Sequence, residues 1–226
     1  MAVPMSSTGF GESSIDQLTN DSINPVSRFA DTPAPAVNIY GGCTMSRLIY
    51  FMPVSLDGFI ADETDNMDWS VPDEEVSAFI NDQLRPIGTY LCGRKMYEIM
   101  KIWQTPDAIP GLTPDMLDFA RIWQAADKIV YSKSLETVST PKTRIEREFD
   151  PQAVRDLKTH SPHDIAVEGP NLAAQAIRAG LVDEYHLLVI PVVLGGGKRV
   201  LPSNINLKLD LLDERRVGNG WVHLHY

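Results

Sequence analysis

Val167-Glu168-Gly169-Pro170-Asn171-Leu172-Ala173-Ala174 carries an apolar run, Asp164 to Val167, across a glycine turn and straight into a helix beginning Pro170-Asn171. Proline suits a first helical turn, because the N–H it lacks would have no intrahelical partner there. The free N–H groups of that turn, with the helix dipole behind them, form a ready site for a phosphate. Alone this is weak evidence, since many α/β proteins contain such a turn without a ligand. A second copy, Leu91-Cys92-Gly93-Arg94-Lys95-Met96-Tyr97-Glu98, gives it weight. Gly93 lets the backbone approach a ligand, and Arg94 and Lys95 set two cations beside a helix N-terminus. Cations there oppose the dipole, at a cost of about a few tenths of a kcal/mol unless an anion compensates. Two such turns could grip one dinucleotide.

Strands alternate with helices along most of the chain. Leu48 to Val54 reads as a buried strand, followed by the turn Ser55-Leu56-Asp57-Gly58, the short extended piece Phe59 to Ala61, and a polar loop from Asp62 to Asp68. Val76, Phe79, Ile80 and Leu84 fall at helical spacing, so Asp73 to Leu84 is expected to be a helix. Further strands are expected at Thr89 to Cys92, Lys128 to Tyr131, Arg144 to Phe149, Asp164 to Val167 and Asp183 to Val193. Further helices are expected from Gly93-Arg94 through Met100, from Thr113 or Asp115 through Ile122, over Pro151 to Lys158, and over Asn171 to Ala179. Asn206 to Val217 and Trp221 to His225 alternate like an antiparallel hairpin around Gly218-Asn219-Gly220. This order predicts an α/β fold: a mostly parallel central sheet with helices on both faces and an antiparallel hairpin at the C-terminal end. Ligands of such sheets sit at the carboxyl ends of the strands, where both glycine turns fall.

Residues 1–44 differ in composition. They hold Glu12, Asp16, Asp21 and Asp31 against a single Arg28, with Pro4, Pro25, Pro33 and Pro35 and little apolar periodicity. They read as an extension, flexible or draped over the domain, with the compact unit spanning 45–226.

Composition narrows the function. The 226 residues, 43% of them hydrophobic, suffice for one large core. No apolar run approaches the roughly 20 residues that cross a bilayer. The first 27 residues hold no Lys or Arg, unlike a signal peptide. Cys43 and Cys92 lack metal-ligand spacing and read as free thiols of a reducing, cytoplasmic compartment. A net charge of −10 disfavours a nucleic-acid partner. Gly195-Gly196-Gly197-Lys198 is no phosphate-binding P-loop, because the upstream glycine is absent and Arg199 follows the lysine. Those glycines instead mark a close backbone approach or bulge near a ligand. A G-x-G-x-x-G fingerprint, zinc-deaminase motifs and a G-x-S-x-G elbow are all missing. His223 and His225 share a strand face, but without a nearby third ligand the pair reads as structural and no metal is expected. His160 and His163 look solvated.

Among the acids, Asp57 fits turn-forming Asp-Gly chemistry. Glu74 and Glu75 begin a helix, where acids favour the dipole. Glu168 directly precedes Gly169 at the ligand-facing end of a strand. A carboxylate there can bind a substrate N–H or O–H, or move a proton. Val130-Tyr131-Ser132-Lys133-Ser134 ends another strand with hydroxyl, ammonium and backbone donors that suit a ribose phosphate, although a polar strand exit explains it equally well.

Val54-Ser55-Leu56-Asp57-Gly58-Phe59-Ile60-Ala61, Gly93-Arg94-Lys95-Met96-Tyr97-Glu98, Val167-Glu168-Gly169-Pro170-Asn171-Leu172 and the tail from Gly180-Leu181-Val182-Asp183-Glu184-Tyr185 through Pro191 to Gly197 occur in a telling order. As a set, from about Met45 onward, they resemble the reductase domain of the riboflavin-biosynthesis deaminase/reductase, which has the dihydrofolate reductase-like fold. The resemblance implies a homodimeric NADPH-dependent reductase of a pyrimidine- or pteridine-like heterocycle, first the ribosylaminopyrimidine of riboflavin synthesis. It implies that Gly93, Arg94 and Lys95 meet the phosphates from one side. Gly169, Pro170, Asn171 and Leu172 would hold the pyrophosphate from the other, with Ser132 and Lys133 flanking the 2′-phosphate. Ser55, Asp57 and Glu168 fall where the family lines its substrate pocket, and Asp57, Glu168 and Glu74 are the candidate catalytic acids. The family commonly has Gly-Gly where this chain has Gly169-Pro170, which removes one N–H, and the fused deaminase half is missing. A dihydrofolate or pterin reductase would need a buried carboxylate on the first helix, near Glu74. A non-catalytic NADP-binding sensor is the alternative outside enzymes.

Overall fold

The structure is a computed structural model that describes residues 45–226. The expected extension over residues 1–44, with Cys43, lies outside the described residues. The first strand, β1 (Leu48–Ser55), sits inside an eight-stranded sheet. A short β2 (Phe59–Ala61) leaves that sheet and pairs antiparallel with β8 (Lys198–Arg199). The remaining strands are β3 (Ile87–Gly93), β4 (Asp127–Tyr131), β5 (Thr143–Glu146), β6 (Asp164–Glu168), β7 (Glu184–Ile190), β9 (Asp213–Val217) and β10 (Trp221–His225). Their order across the sheet is β5-β4-β3-β6-β1-β7-β10-β9. Every pairing from β5 to β7 is parallel, and β10 and β9 add antiparallel strands at one edge. This is the architecture the sequence predicts.

Among the described residues, five α-helices cover the sheet: α1 (Glu74–Leu84), α2 (Arg94–Met100), α3 (Pro114–Ala125), α4 (Pro151–His160) and α5 (Pro170–Arg178). Alternation along β1 decides which face meets which helix. Leu48, Tyr50, Met52 and Val54 join the core that contains Val154 of α4 and Leu172, Ala173, Ala176 and Ile177 of α5. Ile49 and Phe51 join the opposite core, with Leu84 of α1 and Ile122 and Trp123 of α3. Each fully buried branched side chain contributes roughly 1.5–3 kcal/mol, so a one-residue slip of β1 would cost both cores at once. Side chains start the helices as their sequences suggest. Asp73 accepts from the Val76 N–H, Thr113 from Met116, and Asp150 from Gln152.

Three expected strands are too long. β5 stops at Glu146, because Arg147 instead turns its guanidinium to the carbonyls of Ser132 and Leu135. β7 ends at Ile190, and the chain from Pro191 turns over the end of β1, where the Leu56 N–H donates to the Val192 carbonyl. Residues 206–212 have the alternation of a strand without its ladder. Leu209 packs on the core, but the pairing with β10 begins only at Asp213.

Candidate functional site

Parallel pairing of β3 with β6 makes Cys92 the partner of Glu168. The two glycine turns that follow therefore leave the sheet side by side. Gly93 enters α2 in extended conformation, with nothing within 4 Å of the Cβ it lacks. Gly169 holds φ +84°, a backbone state that side chains resist, and passes into α5 with Pro170 at the helix start. The first helical bond of α5 runs from the Ala173 N–H to the Gly169 carbonyl. The N–H groups of Asn171 and Leu172 thus have no intrahelical acceptor, and no side chain caps them.

These turns form one wall of a cleft of about 220 Å³. Its apolar lining comes from Ile60, Met67, Met96, Ile99 and Leu172, and its polar lining from Arg94, Lys95, Glu168, Asn171, Asp65 and Lys198. Gly93, Arg94, Lys95, Glu168, Gly169, Pro170, Asn171 and Leu172 are thereby brought together, as expected. Asp65, Met67, Ile99 and Lys198 are additions that the motifs did not mark.

The cations are not bare. Arg94 Nε bonds Glu98 Oε1 at 2.7 Å, and Arg94 Nη1 donates to Ser134 Oγ at 2.9 Å. Asp65, at φ +65°, takes Lys95 on one oxygen and Lys198 on the other, each at 2.5 Å. The two ammoniums hold its carboxyl down at about 2. The anion that Arg94 and Lys95 require is therefore present in the chain itself, and α2 is only seven residues long. The dipole argument for a phosphate at that turn is corrected accordingly: Glu98 and Asp65 relieve the cost.

Glu168 is half-buried and faces the cleft, with no hydrogen bond or ion pair to another side chain among the described residues. Burial alone pushes its carboxyl up to about 7. At neutral pH it is divided between acid and carboxylate, a suitable state for exchanging a proton or donating to a heterocyclic nitrogen.

Three expected residues have other work. Asp57 accepts from the Ser55 hydroxyl at 2.7 Å and from the backbone N–H groups of Leu194 and Gly195, at 2.7 Å for the latter. Those donors, the Ser55 hydroxyl first, hold its carboxyl at about 2. It lies outside the cleft lining and is held as a carboxylate, which fits a turn-fastening role and disfavours one as proton donor. Ser55 Oγ also accepts the Phe59 N–H and lies outside the cleft lining, so with Asp57 it fastens the glycine loop to the turn after β1. Glu74 is exposed at the start of α1, which buries Val76, Asn81 and Leu84 but no carboxylate. Glu74 thus lies outside the cleft lining, and α1 carries no buried acid of the kind a pterin reductase needs among the described residues. Glu75 is exposed as well.

Ser132 and Lys133 line a separate recess with Tyr131, Arg147 and Gln175. Ser132 is 8% exposed, and its hydroxyl oxygen accepts from the Leu135 N–H at 3.0 Å, a contact that still leaves its O–H to donate. Lys133 is well exposed, 3.4 Å from Glu148. Arg147 is the cation that sequence reasoning hid, by placing it inside a strand.

The glycine loop approaches the backbone closely, as expected. A Cβ on Gly197 would lie 2.1 Å from the Ala61 carbonyl oxygen, so only glycine admits the β2–β8 pairing that carries Lys198 into the cleft.

Residues 46–223 match the family model described as RibD C-terminal domain. The chain is 31% identical over 194 residues to Uncharacterized protein YyaP of Bacillus subtilis, covering 80% of this chain and 94% of that one. It is 28% identical over 185 residues to Uncharacterized protein YwjB of the same organism, covering 80% and 97%. Among solved structures, a putative riboflavin biosynthesis protein from Shewanella superposes with a TM-score of 0.62 at 18% identity, covering 80% of this chain and 97% of that one. A diaminohydroxyphosphoribosylaminopyrimidine deaminase/5-amino-6-(5-phosphoribosylamino)uracil reductase from Thermotoga maritima gives 0.56 at 13% identity, covering 80% of this chain and 56% of that longer one. At these identities the superpositions speak for the fold.

Proposed function

Since the chain belongs to the RibD C-terminal domain family, we propose that it is an NADPH-dependent reductase of a pyrimidine- or pteridine-like heterocycle, with 5-amino-6-(5-phosphoribosylamino)uracil-type compounds as first substrate class. The observation that carries this reading is the juxtaposition of Gly93 and Gly169 around a cleft into which an unpartnered Glu168 opens. Family membership points the same way, and the T. maritima neighbour is named as a reductase of that class.

Several features fit the cofactor. Gly93 leaves open space where a side chain would stand, and Asn171 and Leu172 present uncapped N–H groups to an anion. Pro170 costs one donor of that first turn and leaves these two. A cleft of about 220 Å³ is smaller than the ~300–1,000 Å³ of a typical ligand pocket, so it would hold the reacting end of a dinucleotide whose remainder runs over the surface. Arg94, tied to Ser134 beside the recess of Lys133 and Arg147, lies on that course. When bound, NADPH would supply the hydride, and the chain's task is alignment and water exclusion. Ile60, Met67 and Met96 offer apolar contact to flat rings, and Glu168 offers a proton or hydrogen bond to a ring nitrogen. The homodimeric state and cytoplasmic location implied by the family resemblance belong to this reading.

Fluorescence titration with NADPH and NADH tests the first level, and the expected result is NADPH binding at low micromolar concentration. No binding would overturn the proposal. Turnover is then measured on a panel of aminopyrimidines and pterins, and binding without any turnover would favour an NADP sensor. Light scattering of the purified chain tests the dimer.

A further inference from the structure

At the amino-terminal end of β7, the opposite end from the cleft, three histidines and a glutamate gather on one face of the sheet. Glu184 and His186 are two apart on β7, and His223 and His225 two apart on β10, with His225 the direct partner of His186. Alternation therefore puts all four side chains on the same face. We propose that Glu184, His186 and His225 form a binding site for a divalent transition-metal cation of the zinc class, separate from the cofactor cleft.

Geometry is the main argument. Both His186 Nε2 and His225 Nε2 lie 3.3 Å from Glu184 Oε2. Ligands at about 2.0–2.1 Å from a tetrahedral zinc stand about 3.3–3.4 Å apart, so two edges of the polyhedron already have the right length. One ligand atom from each of the three residues lies within 4.8 Å of the other two. The rings of His186 and His225 stack at 4.0 Å, which aligns their nitrogens toward the same carboxylate.

The surroundings orient these ligands. His186 Nδ1 is 3.1 Å from His223 Nε2, so with a cation bound the Nδ1 proton could be donated to His223 while the Nε2 lone pair faces the cation. His223 is itself fixed between Phe51 and Phe79. Arg47 Nη1 donates to Glu184 Oε1 at 2.8 Å and leaves Oε2 toward the imidazoles. His225 Nε2 is buried, and its 3.3 Å contact with Glu184 Oε2 lacks hydrogen-bond geometry, so a cation would complete its coordination. Asp213, opposite His225 on β9, adds negative charge, partly offset by Arg215. Imidazole nitrogens with one carboxylate oxygen suit Zn²⁺, Co²⁺ or Ni²⁺ and disfavour Ca²⁺ and Mg²⁺. With three protein ligands the fourth position falls to water. The cation would tie β10 to β7 where the antiparallel edge joins the parallel sheet. The structural reading of His223 and His225 from sequence lacked a third ligand, and β7 provides it.

The test uses the full chain without a histidine tag, stripped with a chelator. Zn²⁺ is titrated by calorimetry, and Co²⁺ by visible absorption. We expect one Zn²⁺ per chain at micromolar or lower concentration, the intense ligand-field bands of low-coordinate cobalt, and a raised Tm. His225→Gln and Glu184→Gln should each weaken binding by more than about 100-fold, beyond the cost of losing a mere supporting hydrogen bond. His160→Ala, on the exposed face of α4, should leave it intact. Absence of stoichiometric binding, a weak cobalt spectrum of the aqua-ion type, or full affinity in both Gln variants would overturn the site. Should a variant fail to fold, the cobalt spectrum of the unaltered chain decides alone.

Discussion

Cys92 and Glu168 face each other across the parallel ladder of β3 and β6. That single pairing places Gly93 beside Gly169, although 75 intervening residues separate them in sequence. It also sets Glu168 in the lining of the cleft and encloses the Cys92 thiol, whose ionisation burial suppresses. The proposed reductase site is thus a consequence of strand order, since neither turn alone builds a pocket.

Arg94 lines the cleft and donates to Ser134, the residue after Lys133 of the second recess. If the 2′-phosphate of NADPH lies along this bridge, Arg94→Ala removes one charge-assisted contact, worth about 1.5–3 kcal/mol. NADPH affinity should fall about 10- to 100-fold and NADH affinity only a few-fold, as read by fluorescence titration. Equal losses for both dinucleotides would remove Arg94 from the 2′-phosphate. Release of Glu98 from its ion pair should leave the fold unchanged, because the pair is exposed.

Gly169 and Gly197 separate strain from collision. A Cβ at Gly169 would touch only Met96, at 4.0 Å, so Gly169→Ala should cost about 1–2 kcal/mol from its left-handed backbone alone. At Gly197 the same change adds a 2.1 Å approach to the Ala61 carbonyl oxygen at φ +122°. Gly197→Ala should therefore destabilise the chain more and displace Lys198 from the cleft wall. Urea unfolding of both variants checks the ranking, and a less stable Gly169→Ala would refute it.

The elements were legible because β1 is a continuous apolar run and the periods of 3.6 and 2 were clean in α1, α3 and β10. Misreadings came where alternation lacked a ladder, as at residues 206–212, or where a side chain preferred a distant carbonyl, as with Arg147. The glycine turns, Arg94, Lys95 and Glu168 were legible as motifs. Their electrostatics were not, because Asp65 reaches Lys95 and Lys198 across 30 and 133 positions. The anchoring of Asp57 was hidden for a related reason: its N–H donors, Leu194 and Gly195, lie in a loop far along the chain. The same distance concealed Glu184 and His186 from His225.

Asp57 should behave as a fastener. Its carboxyl is depressed to about 2 in the folded chain, against 3.8 for a free group. Such a group contributes stability that is present above the unfolded value and lost as pH falls through the folded one. Asp57→Asn should lower Tm at pH 6, and the gap from the unaltered chain should shrink toward pH 2. The shape of the pH–turnover profile should not change, and a changed profile would return Asp57 to the chemistry.

Glu168 has the opposite sign. Burial raises its carboxyl from 4.5 to about 7, so between those values the folded chain holds a proton that the unfolded chain has released. Its contribution to stability is full below about pH 4.5 and is lost as pH rises through about 7, by at most roughly 3 kcal/mol. Glu168→Gln mimics the protonated form. The variant should match the unaltered chain at pH 4 and exceed it in Tm at pH 8. If Glu168 exchanges a proton with the substrate, the same change should cut turnover about 100-fold while leaving NADPH affinity nearly unaltered. Turnover of the unaltered enzyme should then fall as pH rises through about 7, as donors to the substrate lose their proton. A stability gain at pH 8 with unchanged turnover would return Glu168 to a merely buried acid, because removing the cost of its ionisation requires no chemistry.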